Sequence, residues 1–182
     1  MTIYQLLSHM NGRIKDADWD GLEHDFSSLA TRLAGQDEAN LIYTLDFRDY
    51  EDRLRDPFQQ ALSKSRSAPV KAIYFEYDLD NSWHSAFYLC TSYDPAALEN
   101  DDWACDFQDV IPGPDFPAAT LAYRRHGFNK TRIASGITLY LVARTVAAFG
   151  RVLTSAPRCD KPICIAFHDQ DPITRIWEPA QT

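Results

Sequence analysis

The clearest pattern in the chain is an apolar residue at every third or fourth position over residues 18–33. The apolar positions are Trp19, Leu22, Phe26, Leu29 and Leu33. Because an α-helix has about 3.6 residues per turn, these side chains fall on one face, and the spacing predicts an amphipathic helix. Asp16 or Asp18 can cap its N-terminus, and Gly35 suits the left-handed residue just beyond its end.

A second helical pattern, less regular than the first, covers residues 37–67. Its apolar positions are again three or four residues apart: Tyr43, Phe47, Tyr50, Leu54 and Phe58. Pro57 has no N–H and would cost a helix interior one hydrogen bond, whereas Asp56-Pro57 makes a good cap and first position for a new helix. We therefore expect a break near residue 56. The alternative is a short strand over residues 40–45.

From residue 70 the apolar period changes to two, which is the period of a half-buried strand. The alternation predicts a strand over residues 70–79, a turn at 80–82 and a returning strand over 83–91. A short helical turn follows at residues 94–99. We expect a third strand at 103–110, with Trp103, Cys105 and Phe107 pointing inward and Asp106 outward. The proline-rich residues 111–117 then form a loop.

The C-terminal third contains a long apolar helical pattern and one short apolar run. The helix is predicted over residues 130–154 with Asn129 as a plausible cap, and a buried strand over 162–168. No strand–helix–strand rhythm repeats, so the fold class is α+β. We expect one domain over residues 1–182. Its antiparallel or mixed sheet, of about four or more strands, would pack against N-terminal helices and one long C-terminal helix.

Composition favours a soluble globular protein. The 182 residues are 45% hydrophobic and 24% charged, which is typical of a folded domain. Arg144 and Arg151 interrupt the most apolar stretch, residues 133–153, and the N-terminus lacks the pattern of a signal peptide. We therefore expect a cytoplasmic protein without membrane contact. Its cysteines are expected to be free thiols rather than a disulfide framework.

The most informative feature of the sequence is the distribution of charge. The net charge is −8, but residues 72–123 carry ten acids and no Lys or Arg, whereas residues 124–182 have a net charge of +5. Like charges held together raise the energy of the folded state unless a counter-charge arrives. A basic protein would supply that charge, whereas nucleic acid, which needs clustered cations, is not an expected partner. The cluster of Arg124, Arg125, Lys130 and Arg132 is expected to balance the acidic segment within the molecule.

The sequence predicts a partner-binding site in this segment, with the two tryptophans as apolar anchors. The candidate residues are Glu76, Asp78, Asp80, Trp83, Asp101, Asp102, Trp103, Asp106 and Asp109. Two alternatives stay open. The acids could form a solvated surface without a partner. They could also serve a small metal-dependent hydrolase or ligand-binding protein that uses residues 76–109.

Motifs for catalysis or metal binding are fragmentary, so we predict no cofactor, no metal and no catalytic residue. Asp78-x-Asp80-x-Ser82 begins like a calcium loop but lacks the required glycine and the final glutamate, and indicates a hairpin turn. Cys159 and Cys164 have no second ligand pair nearby. His168-Asp169-x-Asp171 resembles part of a metal-hydrolase signature without its other ligands. No nucleophile elbow or phosphate-binding loop is present.

The runs KAIYFEYDLDNSWHSAFYLC and ENDDWACDF, followed by a long apolar helix and a short strand, resemble the small acidic immunity proteins of bacterial toxin–immunity systems. The resemblance covers residues 70–170 and lies in the aromatic hairpin and in the segment that joins acids to a tryptophan. It implies that the protein inhibits a cognate toxin by tightly covering a basic surface.

Overall fold

The structure, a computed structural model, describes residues 3–66 and 69–179. The helices are α1 (Ile3–Leu7), α2 (Met10–Lys15), α3 (Trp19–Ala34), α4 (Gln36–Tyr43), α5 (Phe47–Ser65), α6 (Pro117–Arg124) and α7 (Arg132–Ser155). The strands are β1 (Ala72–Tyr77), β2 (Ser85–Cys90), β3 (Phe107–Pro112), β4 (Ile163–Phe167) and β5 (Thr174–Trp177). Short 3-10 helices, Ala96–Leu98 and Asp102–Cys105, lie between β2 and β3.

The strands form one mixed sheet in the order β3-β2-β1-β4-β5. Strands β1 and β4 are parallel, and the other neighbours are antiparallel. The chain leaves β3 at one edge, passes through α6 and α7, and enters β4 beside β1. The prediction of an α+β fold, with a mixed sheet and one long C-terminal helix, is confirmed.

Helix α7 lies at the centre of the main core, where α3, α4 and α5 contact it. Its Phe149 ring contacts Phe58 of α5 and Phe75 and Phe87 of the sheet, at centroid distances from 4.9 to 5.8 Å. Gly150 lets the helix approach Trp19, because a Cβ at this position would lie 2.6 Å from the indole ring. Although α7 is long and apolar enough to cross a membrane, 89% of its most apolar window is buried inside the protein.

The helix predicted over residues 18–33 is confirmed, since Asp18 accepts a hydrogen bond from the backbone N–H of Gly21 and Gly35 follows with a positive φ. The break expected near residue 56 is wrong. The chain breaks at residues 44–46 instead, where Asp46 caps α5 by accepting from the N–H of Asp49. Pro57 lies inside α5. The buried face of this helix continues past the proline and holds it together, and the alternative strand at 40–45 does not form.

The hairpin of β1 and β2 and the strand β4 are confirmed, with shorter bounds than predicted. The third strand begins at Phe107 and includes Pro112, and residues 102–105 before it form a 3-10 helix. Cys105 and Phe107 are therefore exposed rather than inward-facing. Thr131, not Asn129, caps α7. Helix α6 and strand β5 were not predicted, because both are short.

The two faces of the sheet differ in what covers them. The helices cover the inner face, while residues 91–106 fold over part of the outer face and form a second, smaller apolar cluster. Trp103 is the centre of that cover. Its ring meets Tyr74 of β1 at 6.2 Å and Tyr93 at 5.0 Å. The cover reaches β1, β4 and Cys90 of β2, but it leaves Tyr88 of β2 half-buried and most side chains of β3 exposed.

Candidate functional site

The outer face of the sheet carries an aromatic row that crosses three strands. Tyr74 and Tyr88 are cross-strand partners with stacked rings 5.8 Å apart, and Tyr88 meets Phe107 edge-on at 4.9 Å. Val110 pairs with Tyr88 and so lies on the same face. Tyr74 is buried, whereas Phe107 is 45% and Val110 38% exposed. The row therefore runs from the covered core to an open apolar surface on the edge strand.

Carboxylates border this apolar surface. Glu76 accepts a hydrogen bond from the Tyr74 hydroxyl at 2.9 Å, and burial together with the charge of Glu76 raises the pKa of Tyr88. Asp106 directly precedes Phe107 and accepts a hydrogen bond from the Ser92 hydroxyl at 3.1 Å. We call this surface the outer acidic face; it consists of Glu76, Tyr88, Asp106, Phe107 and Val110. Asp102 is exposed in the 3-10 helix that leads into it, four residues before Asp106.

The acids of residues 72–123 are only partly neutralised by other residues of the chain. The pairs within 4 Å are Glu76–His168, Asp80–Arg124, Asp101–Arg175, Asp109–Lys64 and Asp115–His84. Across residues 3–66 and 69–179, no ion pair forms at Asp78, Asp94, Glu99, Asp102 or Asp106. Of the basic cluster expected to balance the segment, Arg124 alone reaches one of its acids in the described chain. The prediction that this cluster neutralises the acidic segment is therefore wrong for most of the acids.

The two tryptophans predicted as partner anchors are core residues. Trp83 is fully buried, stacks on Tyr77 at 5.4 Å and donates its indole N–H to the Thr145 hydroxyl at 3.1 Å. Trp103 is 2% exposed beneath the cover of the outer face. Neither ring can contact a partner in this conformation. The exposed aromatic side chain on the outer face is Phe107 instead.

Asp101 and Asp109 also point away from the outer acidic face. Asp101 is mostly buried, lies 2.7 Å from the Arg175 guanidinium and accepts the backbone N–H of Ile173. These two interactions of Asp101 connect the segment before β3 to the start of β5. Asp109 faces the helical side of β3, where a hydrogen bond from Lys64 lowers the pKa of its carboxyl. Both carboxylates therefore have structural partners.

Asp78 and Asp80 belong to a different acidic cluster, at the carboxyl ends of the parallel strands β1 and β4. They line a cleft of about 280 Å³ with His168 and Asp169. His168 approaches Glu76 at 3.3 Å, and this contact raises the pKa of the imidazole. The nine predicted residues are thus divided between two ends of the sheet and its interior rather than gathered in one patch.

The remaining candidate chemistry concerns metal ligands and cysteine thiols. In the part of the chain that the structure describes, no three His, Cys, Asp or Glu side chains converge as metal ligands. The four cysteines are free thiols, as predicted. Burial raises the pKa of Cys90 to about 12 and raises those of Cys159 and Cys164. A thiol with a raised pKa is protonated at neutral pH and is a poor nucleophile.

Sequence reasoning missed Tyr88, Phe107 and Val110 as surface residues. The sequence did contain a signal for Val110, because Asp109 and Val110 are neighbours in a strand and their side chains must point to opposite faces of the sheet. The inward direction assigned to Phe107 came from extending the strand back to Trp103, which lies in a 3-10 helix.

Comparisons with protein-family profiles, curated proteins and solved structures gave no match to this chain.

Proposed function

We propose that this protein is a protein-binding module whose outer acidic face docks on a basic protein. In its specific form, the proposal is an immunity-type inhibitor in the bacterial cytoplasm that neutralises a basic toxin by covering its surface. The module needs no cofactor, and neither nucleic acid nor membrane is an expected partner.

The observation that carries this proposal is an exposed apolar centre next to a carboxylate that has no counter-charge in the described residues. Phe107 and Val110 provide apolar area on an edge strand, next to Asp106, which has no ion pair in the described residues. Protein interfaces commonly combine a few apolar anchors with a polar rim that excludes water. Acids held without counter-charges also attract a basic protein over several ångströms and speed its association.

The immunity-type form of the proposal rests on the resemblance of the aromatic hairpin and the acidic segment to such proteins. In this form the partner is a basic enzyme, and the outer acidic face would cover its active surface. The hairpin strands β1 and β2 supply Glu76 and Tyr88 to this face.

The test compares four versions of the protein as baits in affinity capture from a bacterial lysate, with retained proteins identified by mass spectrometry. The baits are the natural chain, Asp102→Lys/Asp106→Lys, Phe107→Ala/Val110→Ala, and the control Asp37→Lys/Asp56→Lys. The control reverses two exposed acids on α4 and α5 that have no ion pair in the described residues. Its charge change equals that of the first variant.

We expect one basic protein to be retained by the natural chain and by the control. Each docking variant should reduce its retention by about tenfold or more. Retention should also fall between about 0.1 M and about 1 M salt, since the Debye length shortens from about 10 Å to about 3 Å. Equal retention by all four baits, or the absence of any basic protein, would contradict the proposal.

A further inference from the structure

Strand β3 is an edge of the sheet, and it carries part of the outer acidic face. It pairs with β2 on one side and has no strand on the other. Phe107 and Val110 are exposed on it. An edge strand of this kind is a template on which a strand of a second copy or of another protein can add. Whether β3 accepts such a strand depends on the backbone N–H groups that point away from β2.

The pairing with β2 identifies these outward N–H groups. The N–H of Gly113, directly after β3, donates to the carbonyl of Ser85 in β2 at 2.8 Å. Because backbone groups alternate in direction along an antiparallel ladder, positions 109, 111 and 113 point toward β2. Val110 and Pro112 therefore point away from it. An added strand would have to bond the backbone at these two positions.

Neither of the two positions offers a free donor. Pro112 has no N–H. The N–H of Val110 donates to Oδ1 of the adjacent Asp109 side chain at 2.9 Å. Lys64 of α5 lies 2.7 Å from the other oxygen of that carboxylate and fixes its position. A further strand would find one donor missing and the other already bonded.

A β-bulge adds to this protection. The register between β2 and β3 shifts between Leu89 and Cys90, which leaves Gln108 of β3 without a partner in β2. Such a bulge bends the strand and increases its twist, so an added strand in line with Val110 does not stay in line with Phe107. Bulges and prolines both protect edge strands from pairing with another chain.

We propose that Asp109, Pro112 and the bulge at Gln108 close the β3 edge to strand addition and keep copies of this chain from pairing through it. Phe107 and Val110 then stay exposed without making the edge self-adhesive. The closed edge also selects the kind of partner for the outer acidic face. That partner is a folded basic protein that docks through side chains, not an extended basic segment that joins the sheet. The kind of partner depends on the proposed function, whereas the closed edge does not.

The first test compares the self-association of three proteins by sedimentation equilibrium. They are the natural chain, the variant Asp109→Thr/Pro112→Thr and the control Asp109→Asn. The double variant removes the carboxylate acceptor, restores the missing N–H and adds no large apolar side chain. The control removes the same charge but keeps an oxygen that can accept the N–H of Val110. In about 1 M salt the Debye length is about 3 Å, so repulsion between copies is screened in all three.

We expect the double variant to self-associate at least about tenfold more tightly than the natural chain or the control. Amide hydrogen exchange at positions 110 and 112 should slow as its concentration rises. Urea denaturation checks that the variant is folded. If it is not, Pro112→Thr alone keeps the pair of Asp109 with Lys64, supplies one donor and should tighten association about threefold.

The second test titrates the basic strand-forming peptide Ac-RVTVRVT-NH2 into the same proteins and follows the amides of residues 107–112 by NMR. The natural chain and the control should show no saturable shifts there up to about 1 mM peptide, and the double variant should show them. Saturable shifts in the natural chain, or a folded double variant that associates no more tightly than the control, would overturn the proposal. Neither test uses the captured partner, so an empty capture from lysate would contradict the proposed function alone.

Discussion

Asp101 and Asp102 are adjacent acids that the structure assigns to opposite roles. The Asp101 side chain is 19% exposed and lies 2.7 Å from Arg175, whose own side chain is 8% exposed. Asp102 is exposed and has no ion pair in the described residues. Replacing each by Asn removes the same charge and keeps nearly the same shape. The two substitutions therefore separate a structural carboxylate from a surface one.

Asp101→Asn should lower the free energy of unfolding, because it leaves the buried charge of Arg175 without its carboxylate partner. Breaking a buried ion pair by removing one partner costs about 3–5 kcal/mol, because the other charge stays buried without compensation. Arg175 keeps hydrogen bonds to the carbonyls of Ile173 and Asp94, and it lies over the Trp103 ring. An Asn oxygen can still accept the N–H of Ile173. We therefore expect the lower end of the range, about 3 kcal/mol, and a fall in Tm of roughly 6–12 °C.

Urea denaturation followed by tryptophan fluorescence measures this difference. Asp102→Asn should stay within about 0.5 kcal/mol of the natural chain. The double variant Asp101→Asn/Arg175→Met should recover part of the lost free energy of unfolding, since it removes the uncompensated cation. Equal effects of the two Asn substitutions, or a loss below about 1 kcal/mol for Asp101→Asn, would refute the reasoning.

Three further changes test other parts of the structure. Pro57→Ala should raise the free energy of unfolding by about 1 kcal/mol in urea denaturation, because it restores an N–H donor inside α5; a lower value would contradict the continuous helix. Glu76→Gln should lower the pKa of His168 in an NMR titration, since Glu76 raises it. A raised histidine pKa stabilises the fold at low pH. The difference in the free energy of unfolding between the natural chain and Glu76→Gln should therefore shrink as pH rises through the pKa of His168. A difference that stays constant with pH would argue against the contact between Glu76 and His168. Gly150→Ala should cost about 1–3 kcal/mol in thermal unfolding, because the new methyl group meets Trp19 at 2.6 Å; a neutral result would mean that the helix can shift there.

The elements that could be predicted from the sequence are those whose period is set by one buried face. Helix α3 has such a face, and its predicted position is close to the observed one. Strand β1 was also located, but the prediction that it is half-buried is wrong, because the helices cover one of its faces and residues 91–106 cover the other. The break before α5 was misplaced because local backbone chemistry at Pro57 was given more weight than the apolar face that continues past it. Tertiary packing overrides a single unfavourable residue when the rest of the helix is well buried.

The candidate site was predicted less well, because a sequence gives the charged residues but not the ion pairs that they form in the fold. The absence of Lys and Arg from residues 72–123 is a fact of composition. That Arg175 would reach Asp101, and Lys64 would reach Asp109, depends on strand order and on the cover of the outer face. Trp83 lies beside acids in the chain, yet its ring points into the core from the hairpin turn.

The most direct test of the outer acidic face as the docking surface is hydroxyl-radical footprinting of the protein with and without its captured basic partner. The account predicts that the oxidation rates of Phe107 and Tyr88 fall several-fold in the complex. Tyr43 of α4, which is 67% exposed and distant in the fold, serves as the internal control and should keep its rate. Unchanged rates at Phe107 and Tyr88, with protection of Tyr43 or the other helical surfaces instead, would contradict the account.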